Sequence, residues 1–109
     1  MSIKLPTAIA SYFLAANAGN TDAVLACFAS DAVVHDEGKE IRGTAAIREW
    51  KEQTLEKYAA TLTPIEVSEV PGIAIVTTNV AGNFDGSPIT LNFKFSLDNG
   101  LIAKLEIAA

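Results

Sequence analysis

Asp36 is the residue of this chain best placed to move a proton. It follows Val33-Val34-His35 and stands two positions after Val34, on the same face of an extended strand. If helices cover that face, the carboxyl enters an apolar enclosure. Desolvation then raises its pKa and makes it a general base for a C–H or water proton. The other reading is a solvated carboxylate opening the Asp36-Glu37-Gly38 turn, where aspartate is common. His35 faces the opposite way by strand alternation, so the two do not readily share a pocket, and a lone strand histidine reads first as a structural residue. Tyr12 carries a phenol that could donate to a substrate oxygen from the roof of a cavity. It is equally an amphipathic helix residue with a packed ring and a wet hydroxyl. Trp50 and Tyr58 read as core or pocket wall, Cys27 as an inert buried thiol, and Arg42 and Arg48 as surface ion-pair partners.

Other chemistries lack their parts. There is no glycine-rich phosphate loop, no paired-cysteine motif and no GxSxG elbow. One histidine and one cysteine cannot assemble a His/Cys metal cluster within one chain, so neither a metal nor a cofactor is expected. The formal charge is −5 with the acidic residues scattered, which leaves no basic patch for nucleic acid. No run approaches the roughly 18 apolar residues of a membrane span. The opening Met1-Ser2-Ile3-Lys4-Leu5-Pro6 lacks the apolar stretch and cleavage site of a secretory signal. With one cysteine and no intrachain disulfide, a reducing, cytoplasmic setting is expected.

The elements that must position these residues follow from periodicity. At 109 residues and 50% apolar, the chain suits one domain over residues 1–109 with a core of its own. Pro6-Thr7 opens a first helix, with Ile9, Phe13 and Ala16 at helical spacing, and Asn17-Ala18-Gly19-Asn20 stops it. Thr21-Asp22 caps a short second helix, making an αα-hairpin. Asp31 to Glu37 is a strand, Gly38-Lys39-Glu40 a turn, and Gly43-Thr44 the cap of a third helix over about Ala45–Ala59. Ile47, Trp50, Thr54 or Leu55 and Tyr58 form its inward stripe, with Arg48, Glu49, Lys51, Glu52, Glu56 and Lys57 largely outward. The period then falls to two. Leu62–Val70, Ile73–Ala81, Ile89–Leu97 and Leu101–Ile107 read as four strands of an antiparallel meander, separated by Pro71-Gly72, a longer turn over residues 83–88 and Asp98-Asn99-Gly100. The fold class is α+β. One sheet face is buried under helices and the other, moderately apolar, suits a partner, most economically a second copy.

The runs from Tyr12 to Asn20, Cys27 to Asp36 and Gly43 to Trp50 resemble the SnoaL-like and ketosteroid-isomerase-like branch of the nuclear transport factor 2-like superfamily. The Gly43-Thr44-Ala45-Ala46-Ile47-Arg48-Glu49 segment is the closest match. The resemblance implies a cystatin-like α+β barrel: a cone-shaped, curved antiparallel sheet around a long helix, preceded by a helical hairpin and often dimeric through the open sheet face. The branch includes isomerases, cyclases, dehydratases, epoxide hydrolases and non-enzymatic binders, so fold alone selects none. Carried over, Asp36 matches the isomerase's general base and Tyr12 its phenolic oxyanion donor. The second donor, an aspartic acid kept neutral by its apolar site, stands two residues before a Phe-x-Phe. Here that motif is Phe93-Lys94-Phe95 and the matching residue is Leu91, which cannot donate. Lys51 replaces the tyrosine that supports the phenol. Losing one oxyanion donor costs about 3 kcal/mol of transition-state stabilisation.

The resulting expectation is a homodimeric domain that binds a small apolar or partly polar molecule. Its cavity would be lined by Phe28, Val34, Trp50, Tyr58, Phe84, Leu91 and Phe93, with Asp36 and Tyr12 for isomerase-, cyclase- or hydratase-type proton transfer. The alternative is a non-catalytic ligand-binding or dimerisation module.

Overall fold

The computed structural model describes residues 4–109. Met1-Ser2-Ile3, part of the opening read as carrying no secretory signal, lies outside the described residues. The chain runs α1 (Thr7–Asn17), α2 (Thr21–Leu25), β1 (Phe28–Asp36), β2 (Lys39–Arg42), α3 (Thr44–Tyr58), β3 (Thr61–Val70), β4 (Ile73–Ala81), β5 (Ile89–Asp98) and β6 (Leu101–Ala108). This is an α+β architecture in which helices lie against one six-stranded sheet ordered β2-β1-β6-β5-β4-β3.

The meander from β3 to β6 is antiparallel throughout. The sheet as a whole is mixed, correcting the expectation of an antiparallel one: β1 pairs parallel with β6, Val34 opposite Leu105. The cause is the route of the chain. After α3 it enters at the far edge as β3 and works back by three reversals, so its last strand meets its first. β2 corrects a second expectation. The turn is the two-residue loop Glu37-Gly38, with both φ angles positive (52° and 75°), the type I′ geometry that matches strand twist. Lys39–Arg42 then returns along β1 as an edge strand. β1 also begins three residues earlier than expected, at Phe28. Register breaks in β1 between Phe28 and Val33, in β3 between Pro64 and Glu66, and between Ser96 and Leu97 bend the strands.

Alternation on β4 decides which face is covered. Ala74, Val76, Thr78 and Val80 are buried, whereas Ile75 points the other way and is exposed. Thr78, the buried polar residue of this row, donates to the Val76 carbonyl at 3.1 Å. The covered face packs Phe93, Phe95, Ile102 and Leu105 against Ile9 and Phe13 of α1 and Ile47 of α3.

Helix ends fix where the site can form. α1 closes in a Schellman motif: Gly19 N–H donates to Ala16 O, Asn20 N–H to Ala15 O, and Gly19 sits at φ 69°. The Asn20 side chain, rather than Thr21-Asp22, caps α2 by accepting from Ala23 N–H at 3.1 Å. Asn17 clamps β3, donating to Leu62 O and accepting from Leu62 N–H, both at 2.8 Å. α3 ends at Ala59 in the left-handed region, φ 46°. There Gly82 lies so close that an added Cβ would meet Tyr58 O at 2.6 Å. Asn83 N–H donates to that same oxygen. These contacts tie the loop bearing Phe84 to the end of α3.

Candidate functional site

A cavity of about 410 Å³ opens between α1, α3 and the covered face of the sheet, and both Asp36 and Tyr12 line it. Asp36 ends β1 and is half-buried. Its Oδ2 accepts from the Trp50 indole N–H at 3.0 Å. Burial raises the carboxyl above its ordinary pKa and the Glu37 charge adds to that. The Trp50 bond and the Lys51 ammonium pull it back without cancelling the rise. Tyr12 is fully buried, with Phe13, Phe28 and Phe95 edge-on to its ring at 5.4, 5.9 and 5.5 Å. Its hydroxyl makes no hydrogen bond to any described residue. Burial, then the nearby Asp36 charge, keeps that phenol protonated far above the ordinary range. An unpartnered buried hydroxyl costs about 1–3 kcal/mol.

The remaining walls are mostly apolar. Trp50, Leu55 and Tyr58 come from α3, Phe84 from the loop tied by Gly82, and Leu91 and Phe93 from β5. Tyr58 meets Phe84 edge-on at 5.8 Å and donates its hydroxyl to Glu37 Oε1 at 3.1 Å. Lys51 also lines this cavity, correcting its outward assignment. It lies four residues after the fully buried Ile47, one helical turn along the same face. Burial lowers its amine to about pKa 8, against the upward pull of Asp36.

A SnoaL-like domain model matches residues 9–105, nearly the whole described chain. The chain belongs to the SnoaL-like domain family. Its fold is the one shared by solved structures described as NTF2-like and ketosteroid isomerase-like. Among solved structures, this SnoaL-like domain is 39% identical to a "putative polyketide cyclase" from Sinorhizobium meliloti, with TM-score 0.93 over 94% of each chain. A Catenulispora acidiphila protein with a ketosteroid isomerase-like fold, in complex with trimethylamine, is 17% identical with TM-score 0.85, over 97% of this chain and 87% of that one. A Mycobacterium tuberculosis protein bound to estradiol-17β-hemisuccinate is 21% identical with TM-score 0.80, over 93% and 89%. The last two establish a shared fold alone. No curated protein sequence matches the chain.

In this SnoaL-like domain the candidate residues separate into two groups. Asp36, Tyr12, Trp50, Tyr58, Phe84, Leu91 and Phe93 all face the cavity. Phe28 and Val34 do not, a correction to the expected lining. Phe28 is sealed against the Tyr12 ring, and Val34, deeper along β1 than Asp36, is fully buried in the core. His35 projects away from the cavity, with Nε2 3.8 Å from Glu40 Oε1. Arg42 and Arg48 hold surface pairs with Glu40 and Asp22. Cys27 is buried and donates to Ala23 O. Among the described residues no cluster of three or more His, Cys, Asp or Glu could hold a metal, and no helix is long and apolar enough to cross a membrane.

Proposed function

We propose that this domain binds a small, largely apolar molecule carrying one or two oxygens and moves a proton on it, with Asp36 as general acid/base and Tyr12 as hydrogen-bond donor to a ligand oxygen. The observation carrying this reading is the pairing of two polar groups in one apolar cavity: a half-buried carboxyl of raised pKa and a buried hydroxyl without a partner. A carboxylate in such a site is a stronger base than one in water, and Tyr12 is a donor at every physiological pH. The small-molecule complexes of the Catenulispora and Mycobacterium proteins, and the polyketide name of the Sinorhizobium one, agree with a cavity that takes a small molecule. Cyclisation, isomerisation and hydration all need this proton transfer.

The exposed sheet face bearing Ile75 would carry self-association of two copies. Thermal-shift screening of cyclic ketones, aromatic polyketide fragments and steroids tests the cavity. Binders should raise the unfolding midpoint in proportion to the logarithm of concentration above Kd. For any turned-over binder, Asp36→Asn should retain binding and lose turnover by about 10²–10⁴-fold. Retained turnover would remove Asp36 from the reaction.

A further inference from the structure

We propose that Lys51 is the cation that holds the ligand's oxygen once proton transfer has left negative charge on it. This rests on the reading of Asp36 as proton acceptor.

Lys51 differs from the paired cations of the chain. Arg48 pairs with Asp22 at 2.7 Å, Lys104 with Glu106 at 2.8 Å and Arg42 with Glu40 at 3.2 Å. Among the described residues the Lys51 ammonium makes neither an ion pair nor a hydrogen bond, its carbonyl alone accepting from the Thr54 hydroxyl. Its Nζ sits instead over two aromatic rings, 5.5 Å from the Tyr12 centroid and 5.2 Å from the Trp50 centroid. One of those rings belongs to the proposed oxygen donor and the other to the residue bonded to Asp36. The amine thus lies against the rings of Tyr12 and of the tryptophan that holds Asp36, within the same cavity. Its lowered pKa of about 8 leaves it mostly protonated at neutral pH, a charge only partly compensated by Asp36.

Proton transfer changes that balance in a useful direction. The ligand's C–H or O–H bond breaks, its proton forms a bond to the Asp36 carboxylate, and the electron pair left behind settles on the ligand oxygen. The negative charge moves from Asp36 to that oxygen while the net charge of the cavity is unchanged. Lys51 then faces the new anion. β5 offers no side-chain donor here, since Ile89, Leu91 and Phe93 are its contributions to the wall. The other ionisable side chains lining the cavity are Glu37 from the turn after β1, Tyr58 from α3 and Tyr12 from α1. Of these Tyr12 is a neutral donor, and Tyr58 and Glu37 are bonded to each other.

The test is the absorption spectrum of 4-nitrophenol bound to the full chain, at a pH where the free phenol is neutral. The phenol supplies a proton and an anionic oxygen in one molecule, and its ionised form absorbs at longer wavelength. Wild type should bind it as phenolate. Lys51→Met, similar in length and uncharged, should bind it with the ionised fraction reduced roughly tenfold, one pK unit. Lys51→Arg should restore the band. A phenolate band retained in Lys51→Met would overturn the role of Lys51 and leave Asp36 standing. A band retained in Asp36→Asn but lost in Lys51→Met would uphold Lys51 and overturn Asp36 as acceptor. Neutral phenol bound to wild type would overturn the inference, and no binding to wild type would overturn the cavity reading with it.

Discussion

The Asp36 carboxyl stands between opposing influences, and their sum has a measurable sign. Burial and Glu37 raise its pKa, while the Trp50 indole and Lys51 lower it, and burial prevails. A carboxyl whose folded pKa lies above its unfolded value favours the fold below the unfolded pKa. It loses that contribution as pH rises through the folded value. Asp36→Asn keeps an oxygen to accept from Trp50 at 3.0 Å and removes the ionisation. The variant is therefore expected to be more stable than wild type at neutral pH, with the advantage vanishing below about pH 4. Urea unfolding across that range checks it, and a variant less stable at neutral pH would mean that hydrogen bonding outweighs desolvation. Asp36 and Tyr12 were legible because strand alternation and helical spacing bear directly on them. Lys51 was not, because a lysine in a charged helical run is ordinarily solvated. Its spacing of four from Ile47 was the available signal.

At the scale of elements, the site depends on two close joints. Asn17 joins the end of α1 to the start of β3 through two hydrogen bonds of 2.8 Å to Leu62. At about 1 kcal/mol each, Asn17→Ala should lower the unfolding free energy by about 2 kcal/mol, read from the urea midpoint at unchanged slope. Gly82 joins the loop bearing Phe84 to the end of α3. Gly82→Ala puts a Cβ 2.6 Å from the Tyr58 carbonyl, a backbone atom that cannot rotate away. That variant should lose about 2 kcal/mol or more and loosen the cavity wall, seen as weaker binding of any thermal-shift ligand. Neither joint was legible in the sequence. Asn17 read as a helix stop, and Gly82 gave no turn signal of its own. Each partner lies far along the chain or across a loop, where local periodicity carries no information. β2 was missed for a related reason. A four-residue edge strand with mostly exposed side chains has no hydrophobic alternation to find.

For the whole molecule, the helices and the meander follow from a switch of period, from near 3.6 before Ala60 to two after it. The parallel pairing of β1 with β6 does not, since it joins residues about 70 positions apart through the route of the chain. The outer face is a consequence of the same sheet. Ile75 projects from it, 39% exposed; on the proposal that two copies associate through this face, Ile75→Lys is expected to shift the mass by light scattering from dimer to monomer. Because that residue lies outside the core, the unfolding free energy measured at dilutions where both proteins are monomeric should change by no more than about 0.5 kcal/mol. The central claim is proton transfer by Asp36 inside the cavity. Its most direct test follows, by NMR in D₂O, the loss of α-proton signals from cyclic ketones and 1,3-dicarbonyls that bind by thermal shift. Wild type should accelerate exchange for at least one binder, and Asp36→Asn should bind that compound while exchanging it about 10²–10⁴-fold more slowly. Equal exchange rates in the two proteins would contradict the account.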